Sequence, residues 1–277
     1  MIAVLGGLTA AVLWGLSTVV ASRSTKVLGS QGALAWVMMI GGATTVVLAP
    51  FAGAPHAPAR AWLWAVCAGV GSAFGLSMMY RALRIGKVGV VAPIASTEGA
   101  LAALFSVALG EKLTVGVAIC LGVIALGVVV VTLHGAAADI HLRPSVYAVV
   151  AACSFGIGLV GSARAGSALG PVWTILVARV VGVSGIVLPL VARGALPRPG
   201  RVWWMVTFSA FAELIGFIAF IEGSHDGVAI PAVLASQFAA VAAVASYFAF
   251  GERLARRQRA GAAVILAGVA VLSLLRA

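Results

Sequence analysis

Three ionisable residues, Glu98, Arg179 and Glu213, lie inside stretches of the sequence that are otherwise apolar. If those stretches cross a membrane, each ionisable group costs at least about 2.5–3.5 kcal/mol and needs a partner or a function. A carboxyl group in such a place can pair with an arginine and hold helices together. It can also exchange a proton during a reaction cycle, or bind a cation. Two acids and one base leave room for a cationic ligand.

Glu213 lies on a helical face of mixed character. Ser209, Gly216 and Phe217 fall on the same side of the helix, three or four residues away. A face that combines polar, small and aromatic side chains is typical of the wall of a ligand cavity. The alternative is that Glu213 only pairs with an arginine and stabilises the bundle.

Glu98 follows a proline in its apolar stretch. The ring of Pro93 removes one backbone hydrogen bond and bends a helix, which frees a carbonyl group for water or ligand. The corresponding region of the second half has Pro231, followed by the polar but uncharged Ser236 and Gln237. The two halves therefore differ where a pocket is expected.

Motifs of soluble enzymes are missing or misplaced in the sequence. It has no HExxH, GxSxG or P-loop, and its three cysteines have no CxxC spacing. The letters GIGLVG at 156–161 match the dinucleotide fingerprint, but they lie in an apolar run instead of between a strand and a helix. Ser154, Gly158 and Ser162 there form a stripe of small residues that lets helices approach closely. We expect no metal, no cofactor and no enzymatic activity.

The elements that must position these residues are membrane helices. Hydrophobic residues make up 62% of the chain and charged residues 9%, against roughly 45–50% and about 25% in soluble domains. Turn and charge clusters divide the chain into ten apolar runs, each near the length of about 20 residues that crosses a bilayer. The predicted spans are 2–20, 31–50, 61–82, 88–109, 113–133, 145–163, 172–192, 202–222, 227–250 and 257–275.

The chain also contains a repeat with a period of 141 residues. GEKL at Gly110–Leu113 recurs as GERL at Gly251–Leu254, and KVGVVAPIAST recurs upstream as HDGVAIPAVLASQ. Each half has five spans, an odd number, so the second half must cross the membrane upside down. We expect two inverted five-helix repeats, residues 1–135 and 143–277. Inverted repeats are typical of secondary transporters that hold a substrate near the midplane.

The acids of the two repeated turns are not expected to act together. An inverted repeat places Glu111 and Glu252 on opposite faces of the membrane. We expect each preceding glycine to end a helix in a left-handed cap, with the acid at the level of the lipid headgroups.

An ordered set of short motifs resembles a known family. LWG at Leu13–Gly15, YRAL at Tyr80–Leu83, the prolines Pro93 and Pro231 and the two Gly-Glu-basic-Leu turns resemble the EamA-like ten-helix carriers of the drug/metabolite transporter superfamily. The resemblance covers essentially the whole chain. It implies ten helices around a central cavity lined by spans 1, 3, 4, 6, 8 and 9, with spans 5 and 10 peripheral. It implies no single substrate, because the family includes carriers of amino acids, other metabolites, drugs and nucleotide sugars.

Resemblance and residue types together give a set of candidate binding residues. The expected lining residues are Trp14, Tyr80, Glu98, Glu213, Ser236 and Gln237. We expect Arg179 to act as a charge partner or gate, and Pro93 and Pro231 to act as bending points.

The family often has an arginine early in the second span of each unit; Arg179 fits that place, but Met38 stands at the matching place in the first half. Aromatic rings beside a carboxylate would suit an ammonium group, whereas Trp14 could instead belong to an interfacial belt.

The basic residues predict membrane contact, not nucleic-acid binding. The net charge is +11, but the bases sit at span ends, where they meet lipid headgroups. Thirteen of the eighteen bases fall in loops after odd-numbered spans and four on the side of the termini. The positive-inside rule then puts both termini outside, whereas the family resemblance implies that both are cytoplasmic.

The sequence therefore predicts an all-α membrane protein, a secondary transporter that works by alternating access across the plasma (inner) membrane. Its substrate is expected to be a small metabolite, amino-acid-like or amphiphilic, with export as the direction that the resemblance favours. One alternative is a carrier of organic cations or multiple drugs that is coupled to protons. Another is a lipid-handling membrane enzyme. The expected partners are the substrate, the lipid bilayer and protons, in a monomer or homodimer.

Overall fold

The described part of the chain is helical throughout. The computed structural model describes residues 1–116, 118–119, 122–123 and 142–250, and within them no strand occurs. The α-helices are α1 (Ile2–Leu28), α2 (Ser30–Leu48), α3 (Ala59–Ile85), α4 (Val88–Ala95), α5 (Glu98–Ala108), α6 (Leu142–Gly182), α7 (Leu188–Ala192), α8 (Trp203–Gly223), α9 (Ala229–Ala235) and α10 (Phe238–Phe250). Short 3₁₀ turns occupy Ala49–Ala52 and Gly200–Val202, and a π-helical turn, Val183–Val187, joins α6 to α7.

Seven of the described helical segments are long and apolar enough to cross a membrane. The longest, Leu142–Ala192, has 51 residues, more than twice the length of about 20 that one crossing needs. Its helix is interrupted at Gly170, where a φ of 72° favours glycine. The two arms on either side of Gly170 correspond to predicted spans 6 and 7. Predicted spans 5 and 10, at 113–133 and 257–275, lie mostly or wholly outside the described residues.

The first helix is longer than predicted. The first predicted span ends at residue 20, but α1 continues through Ser22, Ser24 and Thr25 to Leu28. Each of the three hydroxyl groups donates to a carbonyl oxygen three residues earlier, at 2.7, 3.2 and 3.2 Å. Because these polar groups are satisfied by their own helix, they do not end it.

Two helices of the bundle are broken at equivalent places. Residues 96–97 separate α4 from α5, and residues 236–237 separate α9 from α10. Pro93 lies in the last turns of α4, where it removes a helical hydrogen bond. Pro231 is the third residue of α9, a position whose backbone N–H has no helical acceptor in any case. The serines of the two turns make the same contact, each donating to a carbonyl oxygen three residues earlier at 2.7 Å.

The helices run between two faces of the bundle. Lys26 near the end of α1, Arg84 near the end of α3 and Pro144 at the start of α6 line one cavity. The helices α1 and α6, which begin the two halves, therefore run in opposite directions. We call this end the basic face. The opposite end, where α1 starts, is the amino-terminal face.

The contacts of the two halves repeat with the sequence period. Phe155 of α6 packs against Gly75 of α3, and Trp14 of α1 packs against Gly216 of α8. The two aromatic residues are 141 positions apart, and so are the two glycines. In both pairs the ring of one half fills the space above a glycine of the other half. The repeat in the sequence is thus a repeat of packing between the halves.

Small residues bring the central helices together. A Cβ atom on Gly71 of α3 would lie 2.7 Å from both the carbonyl oxygen of Ser154 and the backbone nitrogen of Gly158 in α6. Real side chains do not approach backbone atoms so closely. The GIGLVG segment therefore packs against α3, as the stripe of small residues predicts.

Candidate functional site

A cavity lies between six helices in the middle of the bundle. About 610 Å³ of space between its lining residues is free of protein atoms, including a part that is open to the outside. One residue from each helix defines its wall: Trp14 on α1, Tyr80 on α3, Glu98 on α5, Phe155 on α6, Glu213 on α8 and Phe238 on α10. These helices belong to predicted spans 1, 3, 4, 6, 8 and 9, the set that the family resemblance implied.

Trp14 lies in the cavity wall and away from the ends of its helix. Its ring centroid is 4.9 Å from that of Phe217 and 6.1 Å from that of Phe220, both in tilted arrangements. Its side chain is buried against α8 by Gly216, which leaves room for the indole. Trp14 is therefore part of an aromatic wall and not of a belt at the membrane interface.

Glu213 is occupied on both carboxylate oxygens. Arg179 Nη2 lies 3.3 Å from its Oε2, with both side chains at most 6% exposed. The hydroxyl group of Tyr80 donates to its Oε1 at 3.3 Å. Arg179 and Glu213 form a buried ion pair, so the pair as a whole has no net charge. Glu213 thus lines the cavity as the partner of two other side chains.

Arg179 also joins the two halves. Its Nη1 donates to the sulfur atom of Met38 at 3.2 Å. These residues stand 141 positions apart, so the residues at matching places in the two halves contact each other. Each also packs on a glycine of the other half: Arg179 on Gly41, and Met38 on Gly182. Arg179 lines a smaller neighbouring cavity instead of the main one.

Glu98 lies in the cavity wall, and no described residue provides it with a countercharge. It is the first residue of α5, directly after the turn at 96–97, and it is 3% exposed. Among the described side chains none forms a hydrogen bond or an ion pair with its carboxyl group. The equivalent residue of the second half, at the start of α10, is the apolar Phe238, which also faces the cavity. The cavity therefore contains one acidic group that the described part of the chain does not neutralise.

Ser236 and Gln237 do not line this cavity. Ser236 packs against Gly99 and donates its hydroxyl group to the carbonyl oxygen of Val233 at 2.7 Å. The Nε2 atom of Gln237 donates to the same carbonyl oxygen at 3.0 Å. Both side chains turn back onto α9, because the helix break leaves a carbonyl oxygen that needs a donor. The expectation that they line the pocket is not met in this conformation.

Sequence reasoning missed three aromatic residues of the wall. Phe155, Phe217 and Phe238 line the cavity beside Trp14. The repeat carried the signal for two of them, since Phe155 matches Trp14 and Phe238 matches Glu98 at the period of 140 to 141 residues. Phe217 was noted only as a neighbour on the helical face of Glu213.

The acid of the first repeated turn contacts the other half. Gly110 has a φ of 97°, the left-handed conformation that its position after α5 predicts. The Oε2 atom of Glu111 accepts the backbone N–H of Val228 at 3.0 Å, and its Oε1 accepts that of Ala229 at 3.2 Å. Glu111 therefore caps α9 instead of lying free at the headgroup level. The second turn, Gly251–Leu254, lies outside the described residues.

In the part of the chain that the structure describes, no group of three or more His, Cys, Asp or Glu residues is placed to hold a metal ion.

Comparison with known proteins identifies one family and one fold. Residues 1–133 and 142–274 each match the model of the EamA-like transporter family. Fifteen chains of solved structures match as well. One of them, titled "Crystal structure of protein", is 22% identical, covers 99% of this chain and 96% of its own, and has a TM-score of 0.74. No curated protein matches the chain.

Proposed function

Because this chain belongs to the EamA-like transporter family, which makes it a multi-pass membrane transporter of small solutes, we propose that its substrate is a small metabolite, amino-acid-like or amphiphilic. Transport proceeds across the plasma membrane by alternating access, in the direction of export. The proposed architecture is ten helices in two inverted repeats, residues 1–135 and 143–277. The opposite directions of α1 and α6 support this proposal.

The central cavity is the observation that carries the proposal. Six helices contribute to its wall, three from each half. A site built in this way changes shape when the halves move against each other, which is how inverted-repeat carriers expose a substrate to one side at a time. Its aromatic wall and the one acid that no described residue neutralises suit a small amphiphilic solute better than a large polar one.

A second candidate function is the transport of organic cations in exchange for protons. Glu98 has no described countercharge, and Trp14, Phe155, Phe217 and Phe238 surround the same space. A carboxylate with several aromatic faces attracts an ammonium group. One acid cannot hold a proton and a cation together, so protonation of Glu98 would release the substrate. Arg179 is less suited to hold a substrate carboxylate, because Glu213 already occupies it.

A lipid-handling enzyme is the less favoured alternative. Reactions of that kind need an acid or base free to act beside the substrate. In the described residues Glu213 and Arg179 are occupied by each other, and Glu98 stands alone. Among the described residues, no second unpaired acid or base therefore lies beside Glu98 in the cavity wall.

The proposal is tested with purified protein and pools of metabolites. A substrate that binds the folded state raises the melting temperature, by mass action. Pools that raise it are fractionated, and each active compound is then assayed for uptake into liposomes that contain the protein. The proposal predicts that at least one compound both stabilises the protein and is transported. Compounds that bind but never cross, or that are chemically changed, would contradict it.

The same assay separates the two candidates. Primary and quaternary amines form one arm, and amino-acid-like metabolites form the other. A cation carrier responds to the amines and drives their uptake with an outward-directed proton gradient. A metabolite carrier responds to the second arm and takes up its substrate without that gradient.

A further inference from the structure

The turn at 110–113 fastens one half of the molecule to the other. Glu111 belongs to the first half, and the two N–H groups that it accepts belong to Val228 and Ala229 of the second. The turn itself is fixed by the left-handed Gly110 and by a hydrogen bond from the N–H of Glu111 to the carbonyl oxygen of Ser106 at 2.9 Å. The carboxylate is thus held in place at the amino-terminal face.

The receiving side is also shaped for this contact. Gly227, directly before the capped residues, has a φ of 144°, a conformation that side chains rarely adopt. A Cβ atom there would lie 2.6 Å from Oε1 of Glu111. A glycine at this position is therefore required twice, once for the backbone and once for the carboxylate.

The contact lies at the start of α9, near the amino-terminal face. A Cβ atom on Gly7 of α1 would lie 2.7 Å from the Cβ atom of Leu234 and 2.8 Å from the carbonyl oxygen of Pro231, so α1 and α9 leave no space between them near the amino-terminal face. On α1, the residues that line the cavity run from Trp14 to Ala21, toward the basic face. α1 and α9 are thus packed together between these lining residues and the amino-terminal face.

We propose that Glu111 is a positioning residue for transport, the latch that holds the start of α9 while the cavity is closed at the amino-terminal face. This inference rests on the proposed alternating access. Opening at that face moves α9 away from both α1 and the turn at 110–113. The two hydrogen bonds then break, and they form again when the face closes.

The chemistry of the latch sets what its variants do. Hydrogen bonds from backbone N–H groups to a charged carboxylate are about twice as strong as those between neutral groups, and a negative charge is favourable at the start of a helix. Glu111→Ala removes both bonds. Glu111→Gln keeps one acceptor oxygen and loses the charge, so its effect is smaller and in the same direction.

Access to the cavity is measured by labelling one cysteine with an impermeant maleimide. In a background without the three native cysteines, Thr18→Cys places the reporter in the cavity wall. His56→Cys, made separately, marks the amino-terminal face. In its loop, the carbonyl oxygen of Gly53 accepts the Nε1–H of Trp173, which lies just after the break in α6 at Gly170. Labelling is measured in two vesicle preparations of opposite orientation. Reaction of His56→Cys shows in which preparation the amino-terminal face is outside.

The latch predicts slow labelling of Thr18→Cys from the amino-terminal face. Glu111→Ala raises that rate several-fold and lowers the rate from the basic face. Gly227→Ala, which displaces the carboxylate from the other side, has the same effect, and the double variant shows no more than the larger single effect. The exposed neighbour Lys112→Ala leaves both rates unchanged.

Two results overturn the latch: rates in Glu111→Ala that equal those of the parent, or a rise of equal size from both faces. Neither result depends on a substrate. If solute uptake is demonstrated while Glu111→Ala changes no rate, the latch is wrong and the proposed function stands. If the parent protein transports no solute and Thr18→Cys never reacts from the amino-terminal face in any variant, both the proposed function and the latch are wrong.

Discussion

Glu98 and Glu213 face the same cavity, but their surroundings give them different roles. Glu213 is bound by Arg179 and Tyr80. Glu98 lies in the opposite half, without a described partner, next to aromatic residues. Specificity at the residue scale is therefore expected to depend on Glu98, and the integrity of the wall on Glu213.

Neutralising Glu98 separates binding from stability. In Glu98→Gln the shape of the side chain is kept and the charge is removed. Ligand-induced stabilisation is expected to disappear, while the melting temperature without ligand stays the same or rises, because a buried group without a partner opposes folding. The measurement is a thermal-shift titration with the stabilising compound. The control is Glu222→Gln, whose acid is half exposed at the amino-terminal face; retained ligand response in Glu98→Gln would contradict the assignment.

The ion pair of Arg179 makes a different prediction. Arg179→Met leaves the carboxylate of Glu213 buried beside an apolar side chain, which costs about 3–5 kcal/mol in comparable buried pairs. Adding Glu213→Gln is expected to restore much of that loss, since no charge then remains. Unfolding measurements in detergent compare the single and double variants, with the exposed Arg60→Met as the control. Equal stability of Arg179→Met and the parent would show that the pair does not hold the bundle.

At the scale of elements, the structure depends on close contacts between helices and on two helix breaks. The breaks at 96–97 and 236–237 place Glu98 and Phe238 at the starts of α5 and α10. The close contact between α3 and α6 fixes the wall that carries Tyr80 and Phe155. The two breaks share a serine that donates to the carbonyl oxygen three residues earlier, and the helix contact depends on small residues of α3 and α6.

The glycine contact between α3 and α6 is tested by one added methyl group. Gly71→Ala forces its Cβ atom against backbone atoms of α6, and overpacking of this kind costs about 1–3 kcal/mol. Gly185→Ala is the matched control, because no atom beyond its chain neighbours and its own helix backbone lies within 4 Å of its Cβ position. The melting temperature of Gly71→Ala is expected to fall, and that of Gly185→Ala to stay or rise. Equal behaviour of the two variants would mean that α3 and α6 can separate without loss.

Part of this architecture could be predicted from the sequence. Apolar runs located the crossing segments, and the period of 141 residues located the two halves. The period also showed which residues have equivalent places, but not that Met38 and Arg179 contact each other. Helix ends were less accurate, because the hydroxyl groups near the end of α1 bond to their own helix.

The direction of side chains was the main thing that the sequence could not show. Ser236 and Gln237 have the chemistry of binding residues, yet both turn back to the carbonyl oxygen of Val233. Glu111 was expected to be a simple turn residue, and its partner lies 117 positions away. Contacts at such distances in the chain depend on how the halves dock, which no local pattern encodes.

At the scale of the whole molecule, equivalent contacts fasten both faces. Arg164 of α6 donates to the carbonyl oxygen of Leu109 at 3.0 Å, at the amino-terminal face. Arg23 of α1 donates to that of Ala249 at 3.1 Å, at the basic face. The arginines are 141 positions apart and the carbonyl groups 140. Each contact joins the first helix of one half to the end of the broken helix of the other, so a carrier that rocks must loosen them in turn.

Exchange across the membrane tests the central claim most directly. In a carrier with one site that alternates between faces, labelled substrate is taken up faster when unlabelled substrate is present on the other side. The reason is that a site with bound substrate changes its orientation more readily than an empty one. Proteoliposomes are loaded with the compound found in the binding screen, and uptake of its labelled form is timed with and without that load. We predict a clear acceleration by the load in the parent protein and none in Glu98→Gln. Two results would contradict a carrier that works through this cavity: an uptake rate that is the same with and without the load, or an acceleration by the load in Glu98→Gln.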